Sequence, residues 1–442
     1  MTSRSFKRPH PAKRPKGKTA PPPRTVEVEI EEIGARGDGV ARLGGEVVFV
    51  PFTVPGDRVV ARVEGRRGDG LAAALIEVLV QGPGRAEPAC PHFSRCGGCA
   101  LQHVDDALYG EWKRGLLATQ LARAGLGELP LAPLVRVPPG SRRRATFAFA
   151  RRKHHALLGF NARASHAIID VERCLLLEPA LLALLPPLRT MLAAIVPDGE
   201  EGDVVVTQTE SGLDVLVEAD ARLDLFDRER LAAFADAEDL ARLSWRRPGA
   251  GFIDPIARRR PAVVRFAGIA VEPAPGGFLQ PTKGGEVAIA EAVVAAVGGA
   301  GSVVDLYSGC GSFTFPLAAG NRILHAVEGE EAPIRALEAA ANAQSLRVTT
   351  EVRDLARRPL LAPELKKYQA VVFDPPRAGA SAQAEQLAEA GPPVVVAVSC
   401  NPATLARDLK ILQGGGYRIE AVTPIDQFPF SAHLEAVAVC RR

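Results

Sequence analysis

The sequence contains no run of about 18 apolar residues, so no transmembrane helix is expected. Its opening stretch, MTSRSFKRPHPAKRPKGK, carries charge but no apolar core segment, so no secretory signal is expected. Residues 1–24 lack Asp and Glu altogether and hold eight Lys/Arg. Setting those eight aside leaves 46 basic against 51 acidic residues, a net charge of −5. Attraction to polyanions is therefore concentrated in the tail and in local patches. No fixed-period repeat is visible. Cysteine is present in an odd number, seven. In an unsecreted chain thiols stay reduced, so clustered cysteines read as metal ligands or nucleophiles, not disulfides. A cytoplasmic location is expected. Nothing calls for a membrane or an obligate protein partner, and a monomer is the expectation.

At 442 residues, 47% hydrophobic and 24% charged, the chain has an ordinary globular composition and room for two to four domains. Residues 1–24, rich in Pro and Lys/Arg, cannot bury a core and are expected to be disordered. Residues 25–82 alternate with period two, as in TVEVEIEEI, and are broken by Gly-Asp-Gly, Gly-Gly and Pro-Gly-Asp turns. Short strands at that spacing suggest a small OB-like β-barrel. Residues 83–275 mix a cysteine-bearing loop, helical stretches and alternating segments, a central α+β domain. From 276 to 442 apolar runs SVVDL, ILHAVE, AVVFD and PVVVAVSC alternate with Ala/Leu-rich helical stretches. Such strands linked by helices predict an α/β arrangement with a parallel sheet covered on both faces.

Strand SVVDL runs into Tyr307-Ser308-Gly309-Cys310-Gly311-Ser312. Gly309 and Gly311 permit a tight strand-to-helix turn and the close approach of a ligand. The third Gly of the dinucleotide fingerprint is absent, which suits a nucleoside without pyrophosphate, such as S-adenosylmethionine; NAD remains the rival. Glu328, 17 residues after Gly311, ends the next strand, where a carboxylate can accept ribose hydroxyls. AVVFD ends in Asp374-Pro375-Pro376-Arg377, which puts the Asp374 carboxylate at the ligand-binding edge of the sheet. Cys400 ends the strand VVVAVS, and Asn401-Pro402 then starts a helix. A thiol at a helix N-terminus is expected to have a lowered pKa and to serve as a nucleophile. Glu435 begins an otherwise apolar strand, which suggests a desolvated carboxylate with a raised pKa, suited to a base. Cys310 and Cys440 read as packing residues.

Cys90-x5-Cys96-x2-Cys99 with a remote Cys174 is asymmetric. Structural zinc usually pairs two short knuckles, whereas three close cysteines and one distant one match iron–sulfur spacing better. Gly97 and Gly98 would let the backbone wrap a bulky cluster. Zinc remains the alternative.

Taken together, PxCPHFxxCGGC, FLQ, DLYSGxGSFT, DPPRAG, SCNPATLARDL and DxFPxxxHxE resemble the RNA (uracil-5-)methyltransferase family over nearly the whole chain beyond the tail. The resemblance implies a TRAM barrel for 25–82, a [4Fe-4S] cluster on Cys90, Cys96, Cys99 and Cys174, and a Rossmann-like class I methyltransferase domain. It implies S-adenosylmethionine contacts from Gln280, Tyr307, Ser312, Glu328, Asp354 and Asp374, with Cys400 as nucleophile and Glu435 as proton acceptor. Where the family usually has Gln-Val-Asn, this chain has Gln280-Pro281-Thr282; Ser312 stands for a common Asn, and Phe430-Ser431 for His-Thr. Members with a TRAM module and a cluster mostly act on ribosomal RNA, so uridine C5 in 23S RNA is the expected target. Transfer RNA uridine-54 is the alternative, as are a non-catalytic RNA-binding protein and an exocyclic-amine methyltransferase. The last would carry an aromatic where Arg377 stands, and no thiol. Arg142, Arg143, Arg144, Arg151, Arg152 and Lys153 flank Phe147 and Phe149, a stretch expected to grip phosphates and stack bases.

Overall fold

A computed structural model describes residues 24–442. The expected disordered tail lies outside the described residues, except for Arg24, which opens the first strand. The described residues form two compact units, one ending at Arg85 and the other running Ala86–Arg442.

In the first unit six strands form one sheet in the order Arg24–Glu29, Arg58–Arg67, Gly70–Val80, Glu46–Val50, Gly39–Leu43, Glu32–Ile33. Its two edge strands are consecutive in the chain, separated only by Ile30 and Glu31, so the sheet must curl onto itself. Alternate residues Val28, Val48, Val50, Val59, Ala61 and Val63 fill the interior. Asp57, fully buried, fastens the end of the unit by accepting from the amides of Val54 (2.7 Å) and Gly82 (2.8 Å) and from Arg85. Burial alone would raise its carboxyl, but these donors outweigh it and hold it below the usual carboxylate range.

The second unit holds two large sheets. One has seven strands, in the order Ile168–Asp170, His155–Asn161, Arg144–Arg152, Glu201–Thr209, Gly212–Ala219, Arg242–Arg246, Asp254–Arg258. All its pairings are antiparallel except that of Gly212–Ala219 with Arg242–Arg246. The helix Leu185–Ile195 covers its apolar face. Phe147 and Phe149 are fully buried in that core, because period-two alternation turns both inward. They cannot stack bases, which corrects the expectation for this stretch. Arg143 is buried as well, paired with Glu286 at 2.5 Å and donating to the Gln280 carbonyl at 3.1 Å. Arg151 and Arg152 stay largely at the surface.

The other sheet has eight strands: Val348–Val352, Ile323–Glu328, Ser302–Leu306, Ala370–Phe373, Val394–Ser399, Glu435–Arg441, Arg418–Asp426, Val135–Arg136. Its first five are parallel, and Glu435–Arg441 inserts antiparallel between Val394–Ser399 and Arg418–Asp426. The strand order reverses between Ser302–Leu306 and Ala370–Phe373, and the crevice beyond their C-terminal ends is where such sheets bind ligands. The division expected near 275 separates these two sheets but not two compact units. Helix Asp106–Arg123 and strand Val135–Arg136, from the central region, pack into the C-terminal sheet, with Leu117, Leu121 and Leu126 in its core. No helix among the described residues is long and apolar enough to cross a membrane.

Candidate active site

The loop after Ser302–Leu306 turns through left-handed conformations at Tyr307 (φ 61°), Gly309 (φ 54°) and Gly311 (φ 103°). At Gly311 a Cβ would stand 2.4 Å from the Phe315 ring, so only glycine lets the following helix close onto the strand. Glu328 accepts from the Gly309 amide (2.9 Å) and the Glu330 amide (3.0 Å), which fixes its carboxylate beside the loop. Asp354 follows the neighbouring strand and accepts from the amides of Ala356 and Arg357. Burial pushes the Tyr307 hydroxyl up to about 12, and the charges of Asp408, Asp354 and Glu328 add to it, so Tyr307, Glu328 and Asp354 share one neighbourhood. Ser312 is half-buried in the same loop.

Sequence reasoning missed Asp305. It is fully buried, bonded through one oxygen to Thr314 Oγ1 at 2.6 Å, and its other oxygen has no partner. The hydroxyl of Ser308 is likewise buried and unpartnered. Burial, with the Glu328 charge added, raises the Asp305 carboxyl to about 7. The signal was legible: a lone carboxylate inside the apolar run SVVDL.

Asp374, Cys400 and Glu435 converge at the ends of three adjacent strands. Glu435 is 2% exposed. Its carboxyl is raised to about 7 by burial, against the opposing effects of Gln427 and Arg377. The Asp374 carboxyl is also pushed well above its ordinary value, by burial and then by the charges of Glu435 and Asp305. Cys400 lies just before the Asn401-capped helix Pro402–Gly414, where Asn401 Oδ1 accepts from Ala403 N at 3.1 Å. Its thiol is nevertheless raised, to about 11, by burial and by the Glu435 and Asp374 charges, with Arg377 opposing. The expected lowering at the helix N-terminus is thus overturned, because desolvation and two nearby carboxyls outweigh a terminal dipole.

Two glutamines join these groups. Gln280 donates to Asp374 Oδ2 at 3.3 Å and accepts from Gln427 Nε2 at 2.7 Å; the same nitrogen lies 3.1 Å from Glu435 Oε2. Gln427, not singled out from sequence, is 1% exposed. Thr282, which replaces the usual Asn, caps helix Lys283–Val297 by accepting from Gly285 N at 3.1 Å. Phe430 adopts φ 58° and lies with its ring 6.0 Å from Tyr109, while Ser431 donates to the Phe428 carbonyl at 2.9 Å.

Cys90, Cys96, Cys99 and Cys174 line one cavity of about 400 Å³, together with Arg142, Arg377, Phe428 and His433. Burial and their mutual charges raise the thiols of Cys96, Cys99 and Cys174, that of Cys99 to about 12. A Cβ at Gly97 would stand 2.8 Å from the Asn161 carbonyl, so the loop needs glycine there. Among the described residues no three His, Cys, Asp or Glu side chains are drawn together as a single metal ion requires. Cys310 and Cys440 are buried in apolar clusters.

Residues 269–442 match the tRNA (Uracil-5-)-methyltransferase family, and residues 23–71 match the TRAM domain. An uncharacterized RNA methyltransferase of Brucella suis is 45% identical over 419 residues, covering 94% of this chain and 98% of its own. The 23S rRNA (uracil(1939)-C(5))-methyltransferase of Pectobacterium atrosepticum is 32% identical over 450 residues, covering 97% and 96%. The crystal structure of Pyrococcus abyssi tRNA (uracil-54, C5)-methyltransferase in complex with S-adenosyl-L-homocysteine superposes with a TM-score of 0.73. It is 24% identical, over 94% of this chain and 100% of that one, and so shares the fold. Similarity that spans almost the full length of relatives with this catalytic domain and a TRAM module shows that the chain belongs to the RNA (uracil-5-)methyltransferase family.

Proposed function

We propose that this RNA (uracil-5-)methyltransferase moves a methyl group from S-adenosylmethionine to C5 of a uridine in 23S ribosomal RNA, through a transient bond between Cys400 and the uracil. The observation that carries the reading is the convergence of the Cys400 thiol with the half-buried Asp374 carboxyl and the buried Glu435 carboxyl, each within electrostatic reach of another. The ribosomal target is supported by the 32% identical relative that bears that name.

When bound, S-adenosylmethionine supplies an electrophilic methyl group. Gln280, Tyr307, Ser312, Glu328, Asp354 and Asp374 are the residues that would hold it, over the turn at Gly309 and Gly311. The unpartnered Asp305 oxygen and Ser308 hydroxyl fit a polar ligand there. Glu328 keeps lone pairs free for ribose hydroxyls after accepting two backbone amides.

Uracil C5 is a poor nucleophile, and the residues supply a covalent way round that. With its thiol near 11, Cys400 must lose its proton to a neighbouring carboxylate as the sulfur attacks. The sulfur pair forms the S–C6 bond, and the C5=C6 pair moves to C5, its charge shared with O4. The C5 pair forms the bond to the methyl group as the methyl–sulfur bond breaks, its pair staying on the donor's sulfur. Glu435, with a carboxyl near 7, is matched to removing the C5 proton at neutral pH. The C–H pair re-forms C5=C6, and the S–C6 bond breaks to return the thiolate. The target base must leave its stack to reach the site.

The four cysteines are proposed to hold a [4Fe-4S] cluster. The donor set fits: four cysteines line one cavity, and the thiols of Cys96, Cys99 and Cys174, raised chiefly by burial, become thiolates only beside strong positive charge.

The decisive experiment presents RNA with 5-fluorouridine at the target. The intact enzyme should be trapped as an adduct that survives denaturing electrophoresis, since fluorine does not leave as a proton does. Cys400→Ala should trap nothing, yet still bind S-adenosylmethionine. Equal trapping without Cys400 sinks the thiol route, and methyl label appearing in transfer RNA instead of 23S transcripts sinks the ribosomal target.

A further inference from the structure

Helix Asp106–Arg123 starts at the Asp105 cap, which accepts from Leu108 N at 2.8 Å, and buries Tyr109, Lys113, Leu117 and Leu121. These positions recur every four residues and form one stripe. A lysine in the middle of an apolar stripe is costly unless its charge has partners. Lys113 is fully buried, and its ammonium has them: Asp426 Oδ1 at 2.8 Å, the Phe428 carbonyl at 3.3 Å and the His433 carbonyl. Asp426 ends strand Arg418–Asp426, and Glu435 begins the next strand, so all three partners lie on or beside the hairpin loop that delivers Glu435. Lys113 thus joins the outgoing limb of that loop to its returning limb. Tyr109, one turn earlier, donates to Asp426 Oδ2 at 2.6 Å and accepts from Phe430 N at 3.0 Å. The Phe430 carbonyl accepts from Ala100 (2.8 Å) and Leu101 (3.1 Å), so the left-handed turn at Phe430 is held from both sides.

We propose that Lys113, seconded by Tyr109, is a positioning residue that sets the hairpin loop 427–434 and thereby aims the Glu435 carboxylate. It touches neither substrate nor cofactor. It acts through backbone carbonyls on the two limbs of the loop, and Gln427, the direct partner of Glu435, sits immediately beside its partner Asp426. A displacement of the loop by a fraction of an ångström suffices to misalign a proton transfer.

The inference rests on the reading of Glu435 as the base that resolves the covalent adduct, and the test separates the two. Lys113→Met alone would strand the buried Asp426 carboxylate and endanger folding. The variants to compare are therefore Tyr109→Phe and the charge-neutral pair Lys113→Met with Asp426→Asn. Rates are taken per S-adenosylmethionine-binding site, so that unfolded protein does not count. On natural RNA in single turnover, both variants should accumulate methylated protein–RNA adduct, about tenfold over wild type for the pair and less for Tyr109→Phe. In steady state kcat should fall with KM for RNA unchanged. Wild-type elimination and kcat in the pair variant would overturn the proposal, as would a rise in KM alone. Trapping of the wild type on 5-fluorouridine RNA reports on the covalent reading separately. If that trapping fails, the kcat-against-KM split still decides the role of Lys113.

Discussion

The amide nitrogen of Gln427 lies 3.1 Å from Oε2 of Glu435 and donates to it. The bond favours the charged carboxylate and partly offsets the burial that raises Glu435 to about 7. A base works only when deprotonated, so activity should fall as pH drops through that value.

Gln427→Met should remove the donor while keeping the volume. Without it the Glu435 carboxyl should rise further, moving the acid limb of the pH–rate profile for adduct resolution to higher pH. An acid limb that stays in place, measured by single-turnover quench over pH 5.5–9, would contradict this coupling.

Gly285 faces Gln427 across a gap that holds no methyl group: a Cβ there would stand 2.5 Å from Gln427 Oε1 and 2.7 Å from Thr282 Oγ1. Gly285→Ala should cost about 1–3 kcal/mol through overpacking and should push Gln427 off Glu435. Loss of turnover greater than the loss of folded protein, by denaturant titration alongside kinetics, is the expected result.

Asp305 links pH to stability. Its folded-state pKa, about 7, lies above the ordinary 3.8, so the folded protein binds more protons between those values. That contribution to stability is fully present below about pH 4 and is lost as pH rises through 7. Asp305→Asn should flatten this part of the curve and stabilise the unliganded protein at pH 8 by up to about 4 kcal/mol relative to wild type. It should also weaken S-adenosylmethionine binding. Parallel melting curves for the two proteins from pH 4 to 8 would refute it.

Anaerobically purified protein should be brown, with about four iron and four sulfide per chain. Cys174→Ser should lose the colour and melt earlier, because the cavity would lose a covalent tie between the Cys90–Cys99 loop and residue 174. Zinc without sulfide would overturn the cluster.

Local patterns carried much of the architecture. Apolar runs ending in Tyr307, Glu328, Asp374 and Cys400 had to be parallel strands, and side chains at strand ends fall at one edge of a sheet whatever surrounds it. Period-two alternation likewise marked the small barrel, and also the inward direction of Phe147 and Phe149, which the surrounding arginines obscured. What tertiary structure alone decided are quantities that sum over distant neighbours. The Cys400 thiol is raised, not lowered, because burial and two carboxyls from other strands outweigh its own helix. Arg143 became a buried partner of Glu286, 143 residues away. Lys113 found Asp426 across 313 residues, a pairing that no local periodicity contains, because only the packing of a helix against a hairpin loop brings the two charges out of water together.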